Sequence, residues 1–203
     1  DNIEEKYGHR KATLIMHTDI YDQHGQDLDA IIQNLKLTNG EVLFSQEKVQ
    51  QPDLAVVYNM ADLTINISDA EGFGLATLES LSCGTPILVN MTGGLQDQVT
   101  DGENWFGIGI EPSSKAIIGS QAVPFIYEDR LNKDDFVDAL VKLYEMSPEK
   151  RKQIGLQARE WTQKEFNFDL FGERWDALFT KIYEEKGSWE SRSNYKPYEM
   201  RII

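Results

Sequence analysis

The chain has 203 residues, 40% apolar and 27% charged, a length of one domain or one and a half at roughly 150 residues each and a composition that excludes wholesale disorder and repetitive fibres. Twenty basic residues against thirty-four acidic ones leave a formal charge of −14, which argues against nucleic acid or any other polyanion gripped by a basic surface. The single cysteine, Cys83, can form no internal disulfide, and no apolar run approaches the roughly 20 residues of a membrane span, so a cytoplasmic location without a transmembrane segment is expected.

In chain order, DNIEEKYGHRK (1–11) resembles the end of a helix, and KATLIMHT (11–18) has strand character. Leu28, Ile31, Ile32 and Leu35 recur at i, i+3, i+4 and i+7, which predicts a helix ended by Asn39-Gly40. EVLFS (41–45) is the second strand, and Pro52 opens a helix with Leu54, Val57, Tyr58 and Ala61 turned inward. LTINIS (63–68) and PILVN (86–90) are strands that flank a helix carrying Leu75, Leu78 and Ser82 and stopped by Gly84. Gly107 to Gly109 read as a turn, and residues 111–130 as a long loop with a weak extended piece at Val123 to Tyr127. Beyond Pro124 only helices are expected: one capped by Asn132, one opened by Ser147-Pro148, and a last one whose face of Phe171, Trp175, Leu178, Phe179 and Ile182 demands a packing surface. A loosely docked tail begins at Gly187. Strands alternating with helices make the fold class α/β, a Rossmann-like parallel sheet with flanking helices and further C-terminal helices.

The chemistry is concentrated in residues 63–94, where a strand runs into a loop holding Gly72 and Gly74 and the loop opens a helix. The first N–H groups of a helix have no intrahelical partner and carry partial positive charge, so glycines there admit a phosphate to bare backbone. Backbone dipoles can therefore bind a diphosphate on an acidic protein. A dinucleotide fingerprint would need glycine at Thr77 and an acid at Asn90, and a P-loop would need Gly-Lys-Ser or Gly-Lys-Thr; neither pattern is present. What remains is Glu71 before the glycines and Glu79 inside the helix, eight positions apart. Carboxylates beside a phosphate pocket suit hydroxyl donors, and a nucleotide sugar offers paired hydroxyls on ribose and on hexose.

The stretch EGFGLATLES resembles the E-x7-E signature of retaining glycosyltransferases with the two-domain GT-B architecture, family 4 type, and SDAEGFGLATLESLSCGTPILVNMTGGLQDQVTDGEN is similar to that family throughout. The resemblance implies one half of a GT-B architecture: a donor-binding domain over 1–186, incomplete at its N-terminus, and a tail over 187–203. It implies that Glu71 is the catalytic-site residue that orients the hexose, that the backbone of Gly72, Phe73, Gly74, Leu75 and Ala76 holds hexose and diphosphate, and that Glu79 holds the ribose. Phe44, Ser45 and Gln46 would lie against the base. The donor would be a UDP- or GDP-sugar with no cofactor and no metal, and the acceptor is unknown.

The family's loop GG-x-P-E-x-V stands here as Gly93-Gly94-Leu95-Gln96-Asp97-Gln98-Val99, with Gln96 in place of proline and Asp97 in place of glutamate. No segment upstream of KATLIMHT matches the family's first strand of this half, which is central and is followed by the Arg and Lys that grip the diphosphate. The chain, which starts at Asp1, is therefore expected to be a piece of a longer enzyme, inactive alone, that needs a missing N-terminal half or self-associates through open strand edges. A non-catalytic nucleotide-sugar-binding or docking module of the same fold is the alternative, and a nucleotide-sugar epimerase is a third reading. His17, Asp19, Asp22 and His24 lack regular metal-ligand spacing, and Asp27-Leu28-Asp29 is a chance D-x-D within a helix. Cys83 is expected to be a small core residue.

Overall fold

The computed structural model describes residues 2–8, 11–23 and 25–191. Helix α1 (Asn2–Tyr7) precedes β1 (Leu14–His17), α2 (Leu28–Leu35), β2 (Val42–Ser45) and α3 (Gln51–Met60). Next come β3 (Thr64–Asn66), α4 (Leu75–Cys83), β4 (Ile87–Asn90), α5 (Leu95–Val99) and β5 (Gly107–Ile110). Strands β6 (Ser114–Ile118) and β7 (Ile126–Arg130) lead into α6 (Lys133–Glu145), α7 (Pro148–Glu165) and α8 (Phe168–Lys186). His24 and residues 192–203 of the tail lie outside the described residues.

The helix starts follow from side-chain capping. Asn132, Ser147 and Asn167 each accept a hydrogen bond from a backbone N–H of the following first turn, a contribution of about 1 kcal/mol apiece. Asp27 does the same for α2 by accepting from the Ala30 N–H at 2.9 Å, so the first carboxylate of the chance D-x-D is a cap just outside the helix. The end of α2 is earlier than Asn39-Gly40: Lys36 takes the left-handed conformation at φ 58° and returns its N–H to the Gln33 and Ile32 carbonyls.

Strand β4 sits between β3 and β5, parallel to both. Ile87 and Val89 face Leu81 of α4, Leu95 and Val99 of α5, Phe106 and Ala158 of α7. Leu88 faces Ile110, Ala139 and Leu143 on the α6 side. A strand covered on both faces reads as a continuous apolar run, as Ile-Leu-Val does here. Helix α4 lies directly on α7, where a Cβ on Gly155 would overlap the carbonyl of Gly84.

Three expectations change. Gly107 to Gly109 is no turn but the start of β5, where a side chain on Gly107 would collide with the Ile87 backbone; close approach to β4 explains glycine in a strand. Residues 111–130 are not one long loop: β6 and β7 pair antiparallel from Ser114–Arg130 to Ile118–Ile126, and only 119–125 connect them. Strands thus continue beyond Pro124, because cross-strand pairing supplies the order that local alternation lacks. The last helix, expected to pack on the domain or on a partner, has no buried residue, so among the described residues the domain does not supply that surface. Its aromatic side chains contact one another along the helix instead, with Phe171 and Trp175 centroids 6.1 Å apart and Trp175 and Phe179 centroids 5.2 Å apart.

Strands β1 and β2 form a separate parallel pair. The N–H groups of Leu14 and Thr18 turn to β2, bonding the Glu41 and Ser45 carbonyls, so those of Ile15 and His17 turn the opposite way. Thr64 likewise turns its N–H to Pro86 on the β4 side, which leaves that of Ile65 on the other edge. Among the described residues no strand pairs with either of these edges, and β1 and β3 do not close on each other. Among the same residues, no helix is long and apolar enough to cross a membrane.

Two glycine substitutions separate packing from propensity. Gly155→Ala forces α7 off α4 and should lower unfolding free energy by about 1–3 kcal/mol, whereas Gly172→Ala, with open space around its Cβ in α8, should raise it by roughly 0.5–1 kcal/mol; denaturant titration checks both. The open edges of β1 and β3 predict association in solution. Sedimentation should find a species larger than the 23.2 kDa monomer, and a stable monomer with both edges bare contradicts the expectation.

Candidate functional site

Parallel strands β3 and β4 deliver the loops 67–74 and 91–94 to the same end of the sheet. Asn66, the last residue of β3, turns its side chain back on the first loop: its Oδ1 accepts from the Ser68 N–H at 3.1 Å and hydroxyl at 2.8 Å, and its Nδ2 donates to Glu71 Oε2 at 3.4 Å. Glu71 Oε1 accepts from the Gly72 N–H at 3.0 Å. The carboxylate is thereby held at the loop entry by two donors, one of them backbone.

Gly74 caps α4 with φ 87° and ψ 63°, a conformation available to glycine at little cost. The second loop and α5 press against the first. Gly94 donates its N–H to the Gly72 carbonyl at 3.0 Å, and Gln98 Nε2 donates to the Phe73 carbonyl at 2.5 Å. A Cβ on Gly93 would overlap the Glu71 carbonyl, and one on Gly94 would lie 2.6 Å from the Phe73 carbonyl oxygen. A trans peptide sets C=O and N–H on opposite sides. Pinning the Gly72 and Phe73 carbonyls toward α5 therefore directs the N–H groups of Phe73 and Gly74 away from it. With the first N–H groups of α4, these make a cradle of donors suited to an anion.

Glu79 lies on the exposed side of α4 and accepts from the Tyr58 hydroxyl of α3 at 2.9 Å. Burial pushes the Tyr58 hydroxyl well above its ordinary pKa, and the hydrogen bond to Glu79 adds to the shift. Tyr58 remains a proton donor to Glu79 throughout the neutral range. Phe73 is exposed, and its ring meets Phe166 edge-on at 6.1 Å; Phe166 meets Trp161 at 5.1 Å, which contacts Phe106 at 4.9 Å. A chain of aromatic contacts thus connects the loop to the core.

The structure brings Glu71, Gly72, Phe73, Gly74, Leu75 and Ala76 together at one helix start, with Glu79 one turn further on. Phe44, Ser45 and Gln46 stand at the end of β2 in the other sheet, where Ser45 Oγ lies 2.9 Å from His17 Nδ1. Among the described residues no hydrogen bond joins them to the glycine loop. Among the described residues no group of three or more His, Cys, Asp or Glu could hold a metal ion. Cys83 is half-buried, and burial raises its thiol pKa against the opposing charge of Arg159, conditions that disfavour a thiolate nucleophile.

Sequence reasoning missed the base of the β6–β7 hairpin. Buried Asn90 donates through Nδ2 to the Ser68 carbonyl at 2.9 Å and the Asp129 carbonyl at 2.7 Å, while its Oδ1 is buried without a partner. Thr92 donates to the Asp129 carboxylate at 2.8 Å, the Asp129 N–H donates to the Asp69 carbonyl at 2.7 Å, and Arg130 pairs with Asp69 at 2.9 Å. The Thr92 hydrogen bond, with Lys115 beside it, holds Asp129 below the usual carboxylate range. The hairpin therefore grips the loop two residues before Glu71. An open groove of about 740 Å³ is lined by Gln96 and Asp97 of α5 with Glu103, Trp161, Lys164 and Arg174, and includes none of residues 71–79.

Comparison with known proteins gives this geometry its family. The D-inositol 3-phosphate glycosyltransferase of Paenarthrobacter aurescens is 32% identical over 96 residues, 47% of this chain and 22% of that protein. Among solved structures, sucrose-phosphate synthase from Thermosynechococcus elongatus has a TM-score of 0.60 at 22% identity, over 85% of this chain and 38% of that one. Anabaena HepE, solved in complex with UDP-glucose, has a TM-score of 0.59 at 17% identity, over 83% of this chain and 41% of that one. The chain thus spans from about a fifth to two fifths of the length of these proteins, and its fold is that of GT-B glycosyltransferases. The family model described as glycosyl transferases group 1 matches residues 21–161, and to that glycosyltransferase family this chain belongs.

Proposed function

We propose that this chain is the donor-binding half of a retaining glycosyltransferase of family 4 type, which moves a hexose from a UDP- or GDP-sugar to an acceptor. The observation that carries this reading is the pair of N–H groups at Phe73 and Gly74, turned away from α5 at the start of α4 and flanked by Glu71 and Glu79. The diphosphate would lie on that cradle, with Glu79 accepting from the ribose hydroxyls and Glu71 from those of the hexose. As the anomeric carbon leaves the diphosphate oxygen, negative charge grows on the phosphate, and fixed donors aimed there stabilise it without reorganising. The known complexes of Anabaena HepE with UDP and with UDP-glucose support a nucleotide-sugar donor. By the same reading the acceptor is held outside this chain, and the chain alone should bind donor without appreciable turnover.

Calorimetric titration tests the division of roles. Glu79→Ala should weaken UDP binding by about 1.5–3 kcal/mol, the range for hydrogen bonds to a charged group. Glu71→Ala should leave UDP binding near native and weaken UDP-glucose or GDP-sugar binding. Equal losses for UDP and its sugar in the Glu71 variant would refute the assignment of Glu71 to the hexose.

A further inference from the structure

The cradle depends on a residue that never faces the donor. Gln98, on α5, is only 1% exposed, and both polar atoms of its amide bond within the protein. Nε2 donates to the Phe73 carbonyl at 2.5 Å, and Oε1 lies 2.6 Å from the Thr77 hydroxyl. The amide orientation follows from its partners: a carbonyl only accepts, so nitrogen faces Phe73 and oxygen faces Thr77. Thr77 is itself fully buried on α4, and its hydroxyl also lies 2.8 Å from the Gly74 carbonyl. One side chain of α5 thus joins the Phe73 peptide to the first turn of α4.

We infer that Gln98 is a positioning residue of the donor site, which sets the orientation of the Phe73–Gly74 peptide so that its N–H is presented to the diphosphate. The inference rests on the donor reading above and adds how the cradle is kept open. Without the Gln98 donor, the part-buried Phe73 carbonyl is left beside the backbone of Gly94 without that hydrogen bond, a state that costs free energy. Rotation of that one peptide relieves the cost by turning the carbonyl outward. The rotation replaces a donor by an acceptor at the place where the diphosphate binds. Neighbouring peptides are held independently: the Gly72 carbonyl by the Gly94 N–H, and the Gly74 carbonyl by the Leu78 N–H at 3.2 Å. The effect of Gln98 is therefore local, one peptide rather than the whole loop.

The test uses the 203-residue chain, UDP and GDP as probes, and two kinds of variant. Gln98→Met keeps side-chain length and removes both polar atoms; Thr77→Val removes the hydroxyl that orients Gln98, and Thr77→Ser restores it. For each, affinity is measured per folded molecule, with the folded fraction from circular dichroism, alongside amide hydrogen exchange at residues 72–78. Gln98→Met and Thr77→Val should each weaken diphosphate binding by about tenfold, the low end expected for loss of a charge-assisted hydrogen bond. Thr77→Ser should bind as the native chain does, and in Gln98→Met and Thr77→Val exchange at the outward Gly74 N–H should slow as the rotated peptide turns it toward α5. The double variant should lose little more than either single one, since both act through the same peptide. Native affinity per folded molecule in Gln98→Met, or a loss that tracks only its unfolded fraction, overturns the inference. If Gln98→Met does not fold, the Thr77→Val and Thr77→Ser pair decides, and equal affinities in those two overturn it. If the native chain binds neither UDP nor GDP, the donor reading fails, and exchange at Gly74 alone then judges the latch: unchanged exchange in both variants refutes it.

Discussion

Strand β4 is buried on both faces and paired along both edges, and the placement of the candidate site follows from that constraint. Its parallel partner β3 ends at the same edge of the sheet, so the loops after the two strands emerge side by side, as ligand loops do in open α/β sheets. Asn90, the last residue of β4, bridges the Ser68 and Asp129 carbonyls and ties both the Glu71 loop and the β6–β7 hairpin to the strand. The apolar side chains of α4 and α5 pack on the same face of β4, which brings Gln98 and Gly94 against the glycine loop. Backbone approaches this close exclude side chains at Gly93 and Gly94.

The same contacts make the proposed anion site compatible with a formal charge of −14. Net charge sets long-range repulsion, whereas affinity at short range depends on donors that are already oriented. Here the carbonyls of Gly72 and Phe73 are occupied by α5, so their peptide dipoles stand with the positive ends outward. The two carboxylates beside the cradle are themselves engaged by donors, Glu71 by the Gly72 N–H and Asn66, and Glu79 by Tyr58. Hydroxyl groups of a sugar can still approach, because a carboxylate has several acceptor positions.

Burial is uneven across the molecule. The β3–β4–β5 sheet is enclosed by α4, α5 and α7 on one face and α6 on the other. By contrast, β1 and β2 expose Leu14, Ile15 and Leu43, the hairpin exposes Ile117, Phe125 and Tyr127, and α8 exposes a row of aromatic side chains. Scattered exposed apolar residues are ordinary, but contiguous ones mark surfaces that interact. The enclosed half supports the site; among the described residues, β1 in the open half and β3 at the margin of the enclosed sheet each leave an edge unpaired.

The sequence by itself determined the α/β class, the four helix caps or stops at Pro52, Gly84, Asn132 and Ser147, and the strands β1 to β4, because these depend on local periodicity and on single-residue capping. It also located the glycine loop between β3 and α4 with a glutamate on either side, since a strand, two glycines and a helix start are contiguous in the chain. Only the tertiary structure decided what holds that loop. Gln98 is 25 positions from Phe73 and Asp129 is 39 from Asn90, and hydrogen bonds across such separations have no local signature. The hairpin and β5 were illegible for the same reason: glycines at 107 and 109 and an irregular apolar pattern at 114–130 weaken local strand preference, while pairing with β4 or across the hairpin supplies the order. The apolar face of α8 was visible as a pattern, yet whether anything within the chain covers it depends on where the helix lies, and that is settled by three-dimensional packing alone.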